Sequence, residues 1–323
     1  MFDLISIGDA VIDTFVPLTD AEVIGDKLCL RYGDKIPVGS SVSLVAGNAA
    51  NNAVGASRLG LKVAHYVNVG GDGDGVKINE HLKKEGVDTR YLVVNEHLPS
   101  NHHVVLDFKG ERTILIYHQP WKYHLPELDK SKWIYLTSLS PSYVDSNLIE
   151  QIINYLERTG ARLVYNPGTF QIKQGLKKTS HLFNLTEVFI VNLEEAEHLL
   201  GESEKGIGNT QIKKLLIGLS ELGPKKVVIT DGGEGSYGFD GGDYWKLGIF
   251  PAKLLEMTGS GDAFATGVLA GLFYGESLDQ AMRWGAANGA SVVEQVGPQA
   301  GLLTYDQIQK KLKENSKILA KQI

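Results

Sequence analysis

Short apolar runs that alternate with helical patterns are the feature that most constrains the fold of this 323-residue chain. The runs lie at residues 4–8, 62–69, 133–139, 162–166, 188–192 and 226–230. Several are continuously apolar, so that neither face of the strand suits exposure to water, which is typical of parallel strands buried on both sides. We therefore expect an α/β fold with an open, mostly parallel sheet and helices on both of its faces.

Helical patterns fill the intervals between these runs. They predict helices over residues 51–59, 76–85, 145–158, 194–200, 210–222, 260–274, 278–295 and 305–315. Gly60, Gly86 and Gly160 follow the first three, where a glycine commonly ends a helix because it adopts the left-handed conformation without strain.

Two stretches depart from the alternation. Residues 14–45 mix proline and glycine with short strand-like runs, and residues 102–117 indicate a hairpin around Lys109-Gly110. We expect these segments, approximately 14–45 and 98–120, to pair into a small β-sheet lid over the strand ends, where open α/β sheets bind ligands. Because no repeat or low-complexity linker interrupts the chain, residues 1–323 are expected to form a single domain with a lid.

Composition excludes several classes of function. The formal net charge of -6 argues against a nucleic-acid partner, since phosphate backbones call for basic surfaces. Cys29 is the only cysteine, so an intramolecular disulfide is impossible. The amino-terminal run is acidic and short, unlike a signal peptide, and no segment approaches the roughly 20 apolar residues of a membrane span. We expect a cytoplasmic protein with no membrane partner.

The run Thr258-Gly259-Ser260-Gly261-Asp262 carries the clearest chemical signal. Its glycines allow backbone N–H groups to converge, and the helix that follows adds unpaired donors and the positive end of its dipole. An anion hole beside a carboxylate suits the transfer of a phosphoryl group onto a hydroxyl that the carboxylate deprotonates. The sequence therefore predicts phosphotransfer.

Two motifs, one near the amino terminus and one in the last third of the chain, support the same interpretation. Residues 46–54, continued by 57–60 and 69–72, form a glycine-rich entry to a helix with an Asn in its first turn, and residues 258–262 form the turn described above. Both are similar to the signatures of the ribokinase (PfkB) family of carbohydrate and nucleoside kinases. The resemblance implies a ribokinase-like fold and an ATP-dependent kinase of small hydroxylated metabolites.

Carried over residue by residue, the resemblance implies a catalytic centre and an acceptor pocket. Asp262 would be the general base, and the backbone N–H groups of Gly259, Ser260 and Gly261 would stabilise the transferred phosphoryl. Asp13 would bind substrate hydroxyls, although Asp9 competes for that role. The pocket would be completed by Gly47, Asn48 and Asn51.

The resemblance also implies a nucleotide side. Asn192 and Glu195 match an Asn-x-x-Glu element that places hydrated Mg²⁺ and the nucleotide phosphates, with Glu195 acting on the metal through water. An Asn before acidic residues is also an ordinary helix N-cap. The remaining nucleotide-binding candidates are Thr230, Gly232, Gly235 and Asn288.

Two departures from the family pattern bear on cation and substrate. Glu256 stands where many relatives carry an Asp that helps hold a monovalent cation, so a potassium (K⁺) requirement stays open. Asn48 stands where ribokinases and phosphofructokinases often carry Lys, which favours a neutral acceptor, although Arg112 is among the residues that could offset this. The acceptor is expected to be a sugar, with a nucleoside as the alternative, and a non-catalytic ligand-binding relative is the rival from another class. The lid's strand edges suggest a homodimer.

Overall fold

A computed structural model describes residues 1–109, 111–175, 179–201 and 209–323. One sheet of ten strands forms the centre of the molecule, in the order β16-β15-β14-β13-β12-β11-β10-β1-β6-β7. Its strands are β1 Phe2–Ile7, β6 Val63–Gly70, β7 Leu92–Asn95, β10 Ser131–Leu136, β11 Arg162–Tyr165, β12 Thr186–Asn192, β13 Lys226–Thr230, β14 Ser236–Phe239, β15 Tyr244–Leu247 and β16 Lys321–Gln322.

The strands from β13 to β7 in this order are parallel, and β14, β15 and β16 extend one edge in antiparallel fashion. The expectation of an open, mostly parallel sheet is thus confirmed. Strands β7, β14, β15 and β16 were not predicted, because each is only two to four residues long and three of them mix polar or glycine residues with apolar ones, so they lack the longer apolar run that marks the other strands.

A second sheet of four strands, in the order β5-β2-β8-β9, forms the lid. Its strands are β2 Val11–Pro17, β5 Val42–Ala46, β8 His102–Phe108 and β9 Glu111–Tyr117, and a separate hairpin joins β3 Glu22–Ile24 to β4 Lys27–Cys29. The predicted small β-sheet is present. It begins at Val11 rather than at residue 14, so Asp13 lies inside a lid strand and not in a loop after β1. Gly110, in the predicted hairpin turn, lies outside the described residues.

Ten helices connect the strands of the described chain: α1 Asn48–Arg58, α2 Gly73–Lys84, α3 Leu148–Thr159, α4 Thr169–Gln174, α5 Ser180–Phe183, α6 Leu193–Leu200, α7 Asn209–Glu221, α8 Ser260–Phe273, α9 Leu278–Val292 and α10 Tyr305–Glu314. The eight predicted helices are all present, with ends displaced by up to three residues. The short helices α4 and α5 were not predicted. No helix within the described ranges combines the length and hydropathy that a membrane crossing requires.

Helices α8 and α9 pack closely against each other beside the sheet. A Cβ placed on Gly267 would lie 2.5 Å from the carbonyl oxygen of Trp284, and one on Gly285 would lie 2.8 Å from that of Phe264. Only glycine permits this approach on both helices. The close packing fixes the start of α8, where the glycine-rich turn lies, against the carboxyl ends of the parallel strands.

Candidate active site

A cleft of about 360 Å³ follows the carboxyl ends of the parallel strands. Residues just after β1, β10, β11, β12 and β13 line its floor, the lid strands cover it, and the start of α8 closes one end. Ligands of open α/β sheets bind at this edge, because the loops that follow the strands converge there. All of the predicted catalytic and acceptor-binding residues line this cleft: Asp13, Gly47, Asn48, Asn51, Gly259, Ser260, Gly261 and Asp262.

The glycine-rich turn leaves backbone donors free at the start of α8. Gly259 adopts φ 80°, and no side chain caps the helix. Among the described residues, no acceptor is bonded to the N–H groups of Gly259, Gly261 or Asp262. Ser260 differs from our expectation, because its N–H already donates to the carbonyl oxygen of Met257 at 3.2 Å. The donors that are free to bind an anion are therefore the N–H groups of Gly259, Gly261 and Asp262, which lie at the positive end of the helix dipole.

Asp262 is buried beside these donors, with 8% of its surface exposed. Asn51 Nδ2 donates to Asp262 Oδ2 at 2.8 Å. Burial raises the pKa of Asp262 to about 7; the Asn51 hydrogen bond lowers it, and the charges of Asp9, Asp13 and Glu195 raise it. A carboxyl group with a pKa near the working pH can both accept and release a proton, which a general base requires.

The acceptor half of the cleft holds two further buried carboxylates. Asp9 and Asp13 are each 5% exposed, and the Oδ1 atom of each has no hydrogen-bond partner among the described residues. His103 Nδ1 lies 3.1 Å from Asp13 Oδ1, within ion-pair distance but outside hydrogen-bond geometry. Burial raises the pKa of Asp9 to about 6. Buried acceptor atoms without a donor are costly, so they favour a ligand that brings hydroxyl groups.

Two lid histidines lie beside these carboxylates. The rings of His103 and His118 are stacked at 5.1 Å, and their Nε2 atoms are 2.9 Å apart. Burial lowers the pKa of His118 to about 4, with a smaller contribution from the charge of His103, so His118 is neutral near pH 7. Neither histidine stands in a motif of the sequence. The alternation of side chains on β8 places His103 toward the cleft and His102 toward Asp74 of α2.

Gly47 shapes the entry to α1 at the acceptor pocket. It adopts φ 105°, and a Cβ there would lie 2.7 Å from Ala10 Cα and 2.8 Å from the carbonyl oxygen of Asp9. The close backbone approach at Gly47 is thus to the segment that carries Asp9. Asn52, the neighbour of Asn51 on α1, does not line the cleft and donates to Thr266 Oγ1 at 3.0 Å.

Asn192 and Glu195 form a capping box at the start of α6 and also line the cleft. Asn192 Oδ1 accepts from Glu195 N at 2.8 Å, and Glu195 Oε2 accepts from Asn192 N at 2.9 Å. Burial raises the pKa of Glu195. The capping box leaves Glu195 Oε1 without a bond to the described residues, so the cleft lining includes one hard oxygen that is not used inside the protein. That donor fits hydrated Mg²⁺ held through water rather than a direct multidentate site.

A second cavity of about 290 Å³ adjoins the cleft and has a mainly apolar lining, which includes Ile249, Phe250, Leu254, Phe264 and Val293. Its lining also contains the predicted nucleotide-side residues Thr230, Gly232 and Gly235. Both cavities are lined by Thr230, Met257, Ser260 and Gly261, so they meet at the glycine-rich turn. An apolar slot beside an anion hole suits a planar base with a phosphate chain.

Asn288 does not reach this second cavity. It is fully buried, donates from Nδ2 to the carbonyl oxygen of Ala263 at 2.8 Å, and accepts at Oδ1 from Leu303 N at 3.0 Å. Both ends of the amide are therefore used inside the protein. The small residues around it, Ala286, Gly289 and Ala290, line the cavity instead.

Glu256 has a role within the turn that the sequence did not indicate. Its Oε1 accepts from Thr258 N at 2.6 Å, and its Oε2 accepts from Gly297 N at 3.4 Å. The Glu256 carboxylate thus bridges Thr258, at the start of the turn, and the loop after α9.

Comparison with known proteins decides the family. Residues 1–304 match the pfkB family carbohydrate kinase. The chain belongs to this family. As a pfkB carbohydrate kinase it is 26% identical over 336 aligned positions to a 5-dehydro-2-deoxygluconokinase of Shouchella clausii, with 97% of this chain and 96% of the relative covered.

Solved structures show the same fold. This pfkB kinase resembles an Arabidopsis thaliana ribokinase complexed with ribose and ATP, with a TM-score of 0.80, 22% identity and coverage of 97% and 99% of the two chains. It also resembles a Methanocaldococcus jannaschii nucleoside kinase, with a TM-score of 0.77, 18% identity and coverage of 98% and 99%. The fold class expected from the sequence, a ribokinase-like α/β fold with a small separate sheet, is confirmed.

Proposed function

We propose that this pfkB kinase transfers the terminal phosphoryl group of ATP to a hydroxyl of a small sugar, with Asp262 as general base. The observation that carries the proposal is the position of Asp262, a buried carboxylate next to free backbone donors at the point where two cavities meet. The apolar cavity suits adenine, and the polar cleft suits the acceptor and the phosphate chain. The ATP complex of the Arabidopsis ribokinase supports the choice of donor.

In this mechanism the acceptor oxygen lies between Asp262 and the glycine-rich turn. The hydroxyl proton passes to the Asp262 carboxylate as the oxygen forms a bond to the terminal phosphorus, and the bond from that phosphorus to the bridging oxygen breaks to release ADP. The N–H groups of Gly259, Gly261 and Asp262 stabilise charge on the transferred phosphoryl. Mg²⁺, when bound near Asn192 and Glu195, supplies charge neutralisation on the phosphates.

The acceptor pocket favours a polyhydroxylated molecule. Asp9 and Asp13 present buried oxygen atoms without donors, and each matches a substrate hydroxyl. His103 and His118 add ring nitrogens on the lid side. Arg112 is the one Lys or Arg side chain among the described residues that line the cleft, so a neutral sugar fits most of the pocket and a single anionic group would face the lid. The 5-dehydro-2-deoxygluconokinase relatives make sugar acids worth including among candidates.

A nucleoside acceptor is the second candidate, since the nucleoside kinase of Methanocaldococcus jannaschii shares the fold. The decisive assay measures ADP formation with ATP and Mg²⁺ on neutral sugars, sugar acids, sugar phosphates and nucleosides, with and without K⁺. We expect acceptor-dependent turnover on a sugar. Turnover on nucleosides alone would replace the proposed acceptor, and ATP binding without turnover on any class would favour the non-catalytic alternative.

We also place the enzyme in the cytoplasm, in agreement with its single cysteine and its nucleotide substrate. We expect the enzyme to form a homodimer through the exposed strand edges of its lid.

A further inference from the structure

A buried row of amide and imidazole groups leads from Asp262 to α2. Asn51 Nδ2 donates to Asp262 Oδ2 at 2.8 Å, Gln299 Nε2 donates to Asn51 Oδ1 at 2.9 Å, and His81 Nε2 lies 2.6 Å from Gln299 Oε1. Asn51 and Gln299 are only 4% and 6% exposed. The row joins side chains from α8, α1, the loop after α9 and α2, none of which is close in sequence to the next.

The direction of each hydrogen bond follows from the chemistry at the two ends. An ionised Asp262 can only accept, so Asn51 must turn its NH₂ group toward it and its oxygen toward Gln299. Gln299 must then donate to Asn51 and turn its own oxygen toward His81. His81 must donate from Nε2. A reversed amide would place two donors or two acceptors opposite each other. Because both amides are buried, water does not replace the hydrogen bonds that such a reversal would break.

The backbone of the row is held in place independently. Arg58 Nη1 donates to the carbonyl oxygens of Gln299 at 2.7 Å and Leu302 at 3.3 Å, while Nε and Nη2 bind both carboxylate oxygens of Glu85. Helix α1 thus carries both Asn51 and the arginine that fixes Gln299. The row is a built feature of the fold rather than a chance contact of mobile side chains.

We propose that His81 and Gln299 are positioning residues for the general base. Acting through Asn51, they determine which amide atom faces Asp262 and hold its carboxylate in the ionised, proton-accepting state. This inference rests on the proposed function for its catalytic meaning. The hydrogen-bond row itself is independent of the substrate.

The hydrogen bond from Asn51 lowers the pKa of Asp262, whereas the rest of its surroundings raise that pKa. Burial is the main cause of the raised pKa of Asp262, and the like charges of Asp9, Asp13 and Glu195 raise it further. Burial and, next, the charge of Asp262 raise the pKa of the Tyr135 phenol, so this phenol stays neutral. At the far end, Glu85 of α2 and Arg58 of α1 lie beside His81. A hydrogen bond to the charged form lowers the pKa of a carboxyl group, so loss of the row should raise the pKa of Asp262 further.

The test compares variants that break the row with variants that preserve it. Gln299→Met and His81→Leu remove the donors without a large change in size. His81→Gln keeps an amide N–H that can reach Gln299 Oε1, and Lys83→Leu alters an exposed residue of the same helix. The pKa of Asp262 is measured by ¹³C NMR of labelled aspartate carboxyls, with the resonance assigned by its loss in Asp262→Asn. The pH dependence of kcat/KM is measured on the same proteins.

We expect the pKa of Asp262 to rise by roughly 1 unit in Gln299→Met and His81→Leu, and the acidic limb of kcat/KM to move with it. His81→Gln and Lys83→Leu should match the wild type. An unchanged pKa in a folded His81→Leu or Gln299→Met protein would overturn the proposal, as would a loss of activity that is uniform across pH. Because the NMR titration needs no turnover, an inactive wild-type enzyme would refute the proposed function while the titration still decides the role of the row.

Discussion

At the scale of single residues, the site is defined by carboxyl groups that the fold buries against their preference for water. Burial raises the pKa of Asp262 to about 7 and that of Asp9 to about 6, from a usual value of 3.8 for each. Asn51 counters part of this effect at Asp262 by donating to the charged form. The protein thus holds a carboxyl group that can take up or release a proton near neutral pH, at a cost to its own stability.

The pKa of Asp262 predicts the pH dependence of turnover. The carboxyl must be ionised to take the acceptor proton, so kcat/KM should rise as pH increases through about 7 and level off above it. A steady-state pH profile with a saturating nucleotide measures this. A profile that is flat across that range would contradict the assignment of Asp262 as the base.

The raised pKa of Asp262 also predicts that the stability of the folded protein falls as pH rises, whereas turnover rises. A raised pKa means that Asp262 binds a proton more tightly in the folded state than in the unfolded state. The contribution of this proton to the free energy of unfolding is full below about pH 4 and is lost as pH rises through about 7. Asp262→Asn should therefore stabilise the protein at about pH 8, by on the order of 1–4 kcal/mol, with little effect at about pH 4.

Denaturant unfolding at both pH values measures the effect on stability. Asp145→Asn, at an exposed position, is the matched control and should change the free energy of unfolding at neither pH. Equal stability of Asp262→Asn and wild type at about pH 8 would show that the buried carboxyl carries no such cost.

Sequence reasoning identified the residues that stand in motifs and missed those that reach the site from elsewhere. Asp262, Asn51 and Asp13 follow local patterns, and the fold brings them into one cleft. His81 and Gln299 stand in no motif, and they meet only because α2 and the loop after α9 pack around α1. Such contacts depend on tertiary packing, which one sequence does not reveal.

At the scale of elements, the backbone path at the start of α8 decides which N–H groups are free to bind an anion. Sequence analysis predicted α8 from its apolar run and its donors from the helix start, but it also counted the N–H of Ser260. That donor is consumed by the turn that precedes the helix. A local turn can thus satisfy one of the first helical N–H groups, and only the backbone path of the turn shows which one.

Gly259→Ala should damage this element selectively. The backbone φ of 80° is strained for any residue with a Cβ, and the new Cβ would lie 2.4 Å from Pro298 Cβ. We expect a loss of roughly 1–3 kcal/mol in stability and a strong fall in activity, measured by thermal unfolding and by turnover. Gly261→Ala is the control for stability, since nothing lies within 4 Å of its Cβ position. Equal melting temperatures for the two variants would contradict the steric account.

At the scale of the whole molecule, the lid presents apolar side chains and unpaired edges away from the cleft floor. Its edge strands are β5 and β9, on which Val42, Leu115 and Ile116 are 41%, 54% and 47% exposed. Exposed edges of this kind invite pairing with another chain. The sequence predicted that the lid exists, because its segments break the α/β alternation, but it did not reveal that Asp13 is part of it.

Dimerisation through paired lids is expected from this surface. Sedimentation equilibrium should give twice the monomer mass of 35.2 kDa, and Leu115→Lys should shift the protein to the monomer by placing a charge in the interface. Arg162→Lys, on the main sheet, is a control that should leave the mass unchanged. A wild-type protein that stays monomeric at micromolar concentration would refute the lid dimer.

The two cavities meet at the glycine-rich turn, and the lid strands line the larger of them, which also contains Asp262. We propose that this arrangement serves phosphoryl transfer. The most direct test of this account is the turnover of Asp262→Asn on the sugar that the wild type phosphorylates, together with its affinity for ATP. We predict that kcat falls by about 10²–10⁴-fold while ATP binding persists, because the amide cannot take the proton but leaves the nucleotide cavity intact. Turnover equal to that of the wild type would contradict the account.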